Sequence, residues 1–258
     1  MPDANAPHEM NPTGRFSDRA REYVAFRPSY PAGVIDAVLD GMGEPGLLVA
    51  ADVGAGTGIS ARLLAQRGVE VVAVEPNEAM AGAAEAHPRV RWVRARAEST
   101  GLAPASVDLI VCAQAFHWFR PGEALGEFRR ILRRHGRLAL LWNVRDDDHA
   151  ATRDYSAIIR EAAGCEPAEA RELDVSVLRE GGFEAPTVVR IPHAQRLERA
   201  GLIGRALSAS YVPKDGPGRA RAEALLGAAF ERHRGADAMV ELRYWSTLYV
   251  SRARTGGD

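Results

Sequence analysis

Cysteine is nearly absent: Cys112 and Cys165 are the only two in 258 residues. Cys112 falls in an apolar, strand-like run and Cys165 in a loop. No structural disulfide is therefore expected, and a reducing compartment is. Lysine is scarcer still, with Lys214 alone among cations that are otherwise arginine. Those arginines are scattered, and 33 basic against 34 acidic residues leave a net charge of −1. Such a balance gives no bulk attraction to nucleic acid or to an anionic membrane, and no basic stripe with interleaved aromatics is visible. No apolar run approaches the roughly 18 residues of a membrane span, and no signal-peptide core follows the N-terminus. A cytoplasmic protein without a membrane partner is expected. Internal repeats are also missing, which sets solenoid architectures aside.

What is present is ordinary for a globular protein, 46% hydrophobic and 26% charged, with one stretch that is not ordinary. In Leu47 to Gly58, LLVAADVGAGTG, an apolar run ends in Asp52, and Gly54, Gly56 and Gly58 then fall at alternate positions. The Ile59, Leu63, Leu64 spacing that follows is helical. Glycines in a strand-to-helix turn permit positive φ and let a ligand approach the main chain, and the N–H groups opening the helix face that ligand. A dinucleotide fingerprint runs G-x-G-x-x-G. Here the order is acidic-x-G-x-G-x-G, and the acid suits a ligand bearing an amine and a positive charge better than a pyrophosphate.

The rest of the chain repeats the alternation of strand and helix. Residues 1–14, with three prolines and little apolar content, are expected to be a disordered tail, and 253–258 a second tail. Residues 15–45 read as N-terminal lid helices, the first starting at an N-cap Ser17 and the second at Pro31. Strands are expected at Val69–Glu75, Val90–Val93, Ser106–Ala113 and Gly136–Val144, with helices between, including Pro121–Arg134. This arrangement means βαβ units in a 46–145 core. Beyond it, helices are expected at Ala151–Ala163, Arg171–Gly181, Leu197–Tyr211 and Arg219–His233. Strands are expected at Phe183–Ile191 and Met239–Arg252, making 146–252 a cap with closing strands. The expected fold is a single α/β domain over 15–252. Its sheet is doubly wound and Rossmann-like, of about seven strands, mostly parallel with an antiparallel closing strand, under a helical lid.

The glycine turn DVGAGTG, with FSDRAREYVAFRPSYP, VEPNEAM, AESTGL, QAFHWF, LLWNVRD, SASYV and ELRYWSTLYV in order around it, resembles the class I S-adenosylmethionine-dependent methyltransferases. The likeness is greatest to the subgroup of trans-aconitate methyltransferase and its small-molecule relatives. It implies S-adenosyl-L-methionine as cofactor. Gly54, Ala55, Gly56, Thr57 and Gly58 would form the cofactor turn, and Asp52 would orient the cofactor's amine. Glu75, followed by Pro76, would accept both ribose hydroxyls, while Met80, Ala97 and Glu98 would surround the adenine. Arg96 stands where the family often has Asp. Gln114 would line the methionine moiety, with Tyr23 and Arg27 reaching its carboxylate. His117 and Asn143 are candidate catalytic groups, His117 as a base, and Trp118, Tyr211 and Tyr249 are candidates for the acceptor pocket. The run Asp146-Asp147-Asp148-His149 reads as a solvated loop rather than a metal site, because consecutive side chains diverge.

The implied reaction is methyl transfer to a small-molecule acceptor by in-line displacement. Three alternatives stay open. One is cyclisation of the cofactor's own amino acid chain with release of methylthioadenosine, with Asn143, Ser208 or Tyr211 as partners. The others are an NAD-dependent oxidoreductase and a non-catalytic cofactor-binding partner. Nucleic acid is disfavoured as an acceptor, since no N-P-P-Y-like tetrapeptide occurs. Oligomeric state and the atom methylated are left undetermined.

Overall fold

Short valine- and alanine-rich runs, too brief for helices and too apolar for solvent, become the inner strands of one sheet. The computed structural model describes residues 26–164, 173–209, 212–213 and 215–254. Tyr23, Cys165, Tyr211, Lys214 and the expected tail at 1–14 lie outside these residues. A first helix, α1 (Ala32–Leu39), buries Val34, Ile35 and Val38. It leads to β1 (Val49–Val53), the glycine turn and α2 (Ile59–Gln66). Then come β2 (Glu70–Val74), α3 (Glu78–Gly82), β3 (Val90–Val93) and β4 (Val107–Ala113). A 3₁₀ turn at Phe116–Trp118, α4 (Pro121–Ile131) and β5 (Leu132–Arg145) follow.

β1, β2, β4 and β5 are covered on both faces, which is why they read as continuous apolar runs rather than alternating ones. One core layer gathers Val53, Ile110, Phe128 and Leu140. The opposite layer gathers Val34, Leu64, Val71 and Leu141. The sheet runs β3-β2-β1-β4-β5-β7-β6. Its first five strands pair in parallel. Strand order reverses between β1 and β4, and the crevice at that switch point is where open α/β sheets bind ligands.

The C-terminal part comprises α5 (Ala150–Ala163), α6 (Ser176–Glu180), β6 (Thr187–Leu197), α7 (Arg199–Leu207), α8 (Gly216–His233) and β7 (Val240–Arg252). β7 lies antiparallel between β5 and β6, so β6, not the last strand, is the edge. β6 starts and ends later than the sequence suggests. It runs through Pro192, which an edge strand tolerates because one row of its N–H groups has no ladder partner. Phe183, the expected first residue of that strand, instead bridges Ala253. Arg254 donates to the Gly182 carbonyl at 2.9 Å. The tail expected from 253 is therefore anchored through Arg254. Tyr155, Ile159, Leu202, Leu226, Phe230 and Leu242 form a third core among the cap helices and the start of β7. Among the described residues no helix is long and apolar enough to cross a membrane.

Candidate functional site

The turn after β1 is folded over the end of β2: Gly54 and Ala55 N–H both donate to the Val74 carbonyl, at 2.9 and 3.2 Å. This brings the next amide, Gly56 N–H, onto Glu75 Oε2 at 2.8 Å, while Asn77 N–H donates to Oε1 at 2.9 Å. Two backbone donors thus aim the carboxylate and leave it further lone pairs, since a carboxylate has about four acceptor sites. Burial pushes the Glu75 carboxyl up from its usual range, against the pull of those two bonds. Asn77 also caps α3, accepting from Ala79 and Met80 N–H, which seats Met80 beneath the turn.

A cavity of about 330 Å³ opens here, within the range of small-molecule sites. Gly54, Ala55, Gly56, Thr57, Glu75 and Pro76 line one side of it. Met80, Ala97 and Glu98 line another, and Gln114 and Trp118 a third. Eleven of the residues singled out in the sequence thus meet at one concavity. Asp52 lies below it, fully buried, its Oδ2 accepting from Ser60 Oγ at 2.7 Å. Burial raises the Asp52 carboxyl to about 7, with the Ser60 bond opposing. Ser60 and Asn77 were not anticipated. Ser60 had a signal, a polar residue in the first turn of an otherwise apolar helix face. Tyr30, Phe119 and Arg120 also line the cavity, and nothing in the local sequence marks them.

Gly58 is not among the lining residues. It opens α2 at φ +75°, and a Cβ there would meet the Trp92 ring at 3.0 Å. At Gly54, with φ +71°, a Cβ would meet Ala115 at 2.6 Å and Phe119 at 2.9 Å. Close packing of the chain on itself, as much as approach by a ligand, requires these two glycines.

At this site three buried oxygens find no hydrogen-bond partner among the described residues: Asp52 Oδ1, Thr57 Oγ1 and Gln114 Oε1. Gln114 is held at φ +55°, a region that costs a non-glycine residue about 1–3 kcal/mol. Its Nε2 donates to the Asn143 carbonyl at 3.3 Å, which leaves Oε1 as the spare acceptor. Orphaned buried polar atoms are rare in folded proteins. Three acceptor-capable oxygens around one turn suit a ligand that brings donors and positive charge.

The other sequence candidates lie elsewhere. His117, Asn143, Tyr249 and Arg27 are not among the residues lining the cavity. His117 Nδ1 faces Trp142 Nε1 at 3.3 Å. Tyr249 packs edge-on against the Trp142 ring. Asn143 spends its side chain on structure: Nδ2 donates to the Ser29 carbonyl at 3.2 Å, and Oδ1 meets Ser246 Oγ at 2.6 Å and His193 Nε2 at 3.1 Å. Asp147 is engaged by Ser156 and Arg160. Among the described residues no group of three or more His, Cys, Asp or Glu is placed to hold a metal ion.

A mostly parallel sheet with a glycine turn and a buried carboxylate at its switch point defines an α/β domain with a ligand crevice, and comparison with known proteins narrows the class. Residues 51–140 match the family model of a methyltransferase domain. An uncharacterised methyltransferase of Mycobacterium tuberculosis is 39% identical over 145 residues, 56% of this chain and 58% of that protein. An uncharacterised methyltransferase-like protein of Schizosaccharomyces pombe is 37% identical over 134 residues, 51% and 52% of the two chains. The chain thus spans little more than half the length of these curated relatives. Among solved structures, a putative type II methyltransferase from Anaeromyxobacter dehalogenans superposes with a TM-score of 0.59 at 27% identity, covering 89% of this chain and 98% of that one. Over residues 51–140 the chain is thus similar to methyltransferase domains, and the fold around them is one it shares with a putative methyltransferase.

Proposed function

We propose that the chain transfers a methyl group from S-adenosyl-L-methionine to a small-molecule acceptor. The observation that carries this reading is the Glu75 carboxylate, fixed by Gly56 and Asn77 N–H at the rim of the cavity and free to accept two vicinal hydroxyls. Thr57, Gln114 and the Ser60–Asp52 pair would receive the cofactor's ammonium and sulfonium end, and Met80 and Ala97 its adenine. A pyrophosphate would instead be set against acceptor oxygens, so the dinucleotide alternative is disfavoured by charge. Cyclisation of the cofactor loses two of its suggested partners, since Asn143 is engaged as above and Ser208 Oγ donates to the Arg205 carbonyl at 2.7 Å.

When bound, the cofactor supplies a sulfonium methyl open to displacement by a nucleophile. The chain's part is to orient and to exclude water, and near-attack positioning contributes about 7–11 kcal/mol. Trp118, Phe119 and Tyr30 give the acceptor an apolar, aromatic wall beyond Gln114. His117 serves position rather than base catalysis. An indole N–H only donates, so in the Trp142 bond Nδ1 is the acceptor and the imidazole proton sits on Nε2. A ring in that tautomer has no spare lone pair to take a proton. The acceptor is accordingly one that needs no base, or one whose proton leaves to water.

The test is calorimetry with S-adenosyl-L-methionine and with NAD. The methyl donor binds and NAD does not, and Glu75→Ala weakens donor binding by about 10–100-fold, the loss of charge-assisted bonds. Absence of donor binding, or an unchanged affinity in Glu75→Ala, overturns the reading.

A further inference from the structure

The polar lining of the cavity changes along its length. In the sheet order β3-β2-β1-β4, the orphaned oxygens of Asp52, Thr57 and Gln114 belong to the β1 side and the end of β4. Glu75 follows β2, and Arg96, Ala97 and Glu98 follow β3. A nucleoside with its sugar on Glu75 and its cationic end at β1 and β4 therefore has its base toward β3. Met80 and Ala97, each 4% exposed, are the apolar walls there. Glu98 Oε1 already accepts the Arg120 N–H at 2.9 Å. Arg120 in turn pairs with Glu123 at 2.9 Å, and Arg94, two residues from Arg96, pairs with Glu78 at 3.0 Å. Arg96 differs from both. It lines the cavity, is exposed at the rim, and its guanidinium makes no hydrogen bond or ion pair with a described residue. Its carbonyl accepts Ser99 N–H at 3.2 Å, so the turn at 96–99 fixes where that side chain starts.

We infer that Arg96 is a specificity-determining residue for the base, reading the purine by its acceptor atoms and so admitting a 6-oxo group in place of the 6-amino group. A guanidinium donates and never accepts. Adenine sets one acceptor, N7, beside a donor, the 6-amine, whereas a 6-oxo purine sets O6 and N7 side by side. That pair of acceptors is what the two prongs of an arginine take together. Against adenine Arg96 keeps one bond and turns its second prong toward a donor. Against hypoxanthine it makes both. Glu98 is the rival reader, because its Oε2 can accept from a 6-amine, and a site built that way rejects the analogue that lacks it. The two readers predict opposite preferences. The inference rests on the proposed cofactor for placing the sugar on Glu75 and hence the base beside Arg96.

The test titrates the full chain with S-adenosylhomocysteine and with S-inosylhomocysteine by calorimetry at constant ionic strength, in the parent, Arg96→Ala, Arg96→Asp and Glu98→Gln. Arg96 is exposed, so its variants melt with the parent. The parent binds the inosine conjugate as tightly as the adenosine conjugate, to within about threefold, or more tightly. Arg96→Ala moves the ratio of the two affinities toward adenine by about three- to tenfold. Arg96→Asp supplies an acceptor for the amine and reverses the preference, to about tenfold or more for adenine. Glu98→Gln leaves the ratio where it stands in the parent. A parent that disfavours the inosine conjugate by more than about threefold overturns the inference, and so does a ratio unmoved by either Arg96 variant. If Glu98→Gln erases a preference for adenine, the base is read by Glu98 instead. A protein that binds neither conjugate loses the cofactor reading and this inference with it, whereas one that binds S-adenosylhomocysteine with the wrong ratio loses this inference alone.

Discussion

The glycine turn and the cap are built in different ways. At the turn the buried polar atoms are acceptors: Glu75, Asp52 Oδ1, Thr57 Oγ1 and Gln114 Oε1. The turn is made by backbone, from seven consecutive residues and one strand end, whereas the cap is made by side chains from α5, α7, α8 and β7, far apart in the chain. The two regions differ as well in what holds them up. The turn rests on the sheet's continuous core, whereas the cap has a core of its own.

The largest effect that separates the two regions is expected in that third core. Phe230 is 5% exposed on α8 and packs with Leu226, Ile159 and Tyr244. Phe230→Ala removes a buried aromatic at a cost of about 3–5 kcal/mol, read by urea denaturation. The sheet core is untouched, so S-adenosylhomocysteine affinity measured well below the melting temperature stays within about threefold of the parent. A loss of cofactor affinity in step with stability would mean that the cap and the turn are one unit, and the contrast drawn above would fail.

The contrast also explains what could be read from sequence. At the turn, ligand contacts are local, so DVGAGTG and the residues after β2 place the cavity to within a residue: Glu75, Met80, Ala97 and Gln114 all fall on it. Where function depends on packing between distant elements, local pattern fails. Trp118 and His117 are adjacent, yet only Trp118 lines the cavity, because the 3₁₀ turn sends neighbouring side chains different ways. Asn143 reads as an active-site amide at a strand end, and only the arrival of Ser29, His193 and Ser246 from three other segments shows its side chain to be engaged.

A middle-sized effect sharpens the acceptor end. Asp52 titrates at 3.8 when solvated and at about 7 in the folded chain, chiefly through burial. Between those values the native state holds a proton that the unfolded chain has released. The unliganded protein therefore loses stability as pH rises from about 4 to about 7, by up to about 1.4 kcal/mol per unit, and the slope ends above about 7. Asp52→Asn removes its part of that slope and leaves the part due to Glu75, whose carboxyl burial also raises. A cofactor carrying an ammonium group favours the ionised carboxylate, so binding near pH 6 releases a proton. Calorimetry in two buffers of different ionisation enthalpy measures it. No difference between the buffers, or an unchanged slope in Asp52→Asn, would separate Asp52 from the cofactor end.

The smallest effect concerns the contact between Trp142 and His117. Trp142 is 6% exposed and edge-on to Tyr249, so Trp142→Phe keeps an aromatic ring against Tyr249 and deletes the indole donor. The hydrogen bond is long, at 3.3 Å, and its loss costs about 0.5–1.5 kcal/mol. Without the indole donor, the lone pair on His117 Nδ1 is no longer engaged by residue 142. If His117 only positions the wall beside Trp118, turnover and its pH profile in Trp142→Phe follow the parent, once an acceptor is in hand. A pH profile that acquires a new limb near the histidine range, or a turnover that rises above the parent's, would show that Trp142 holds a base in check. That outcome would move His117 back to the chemistry.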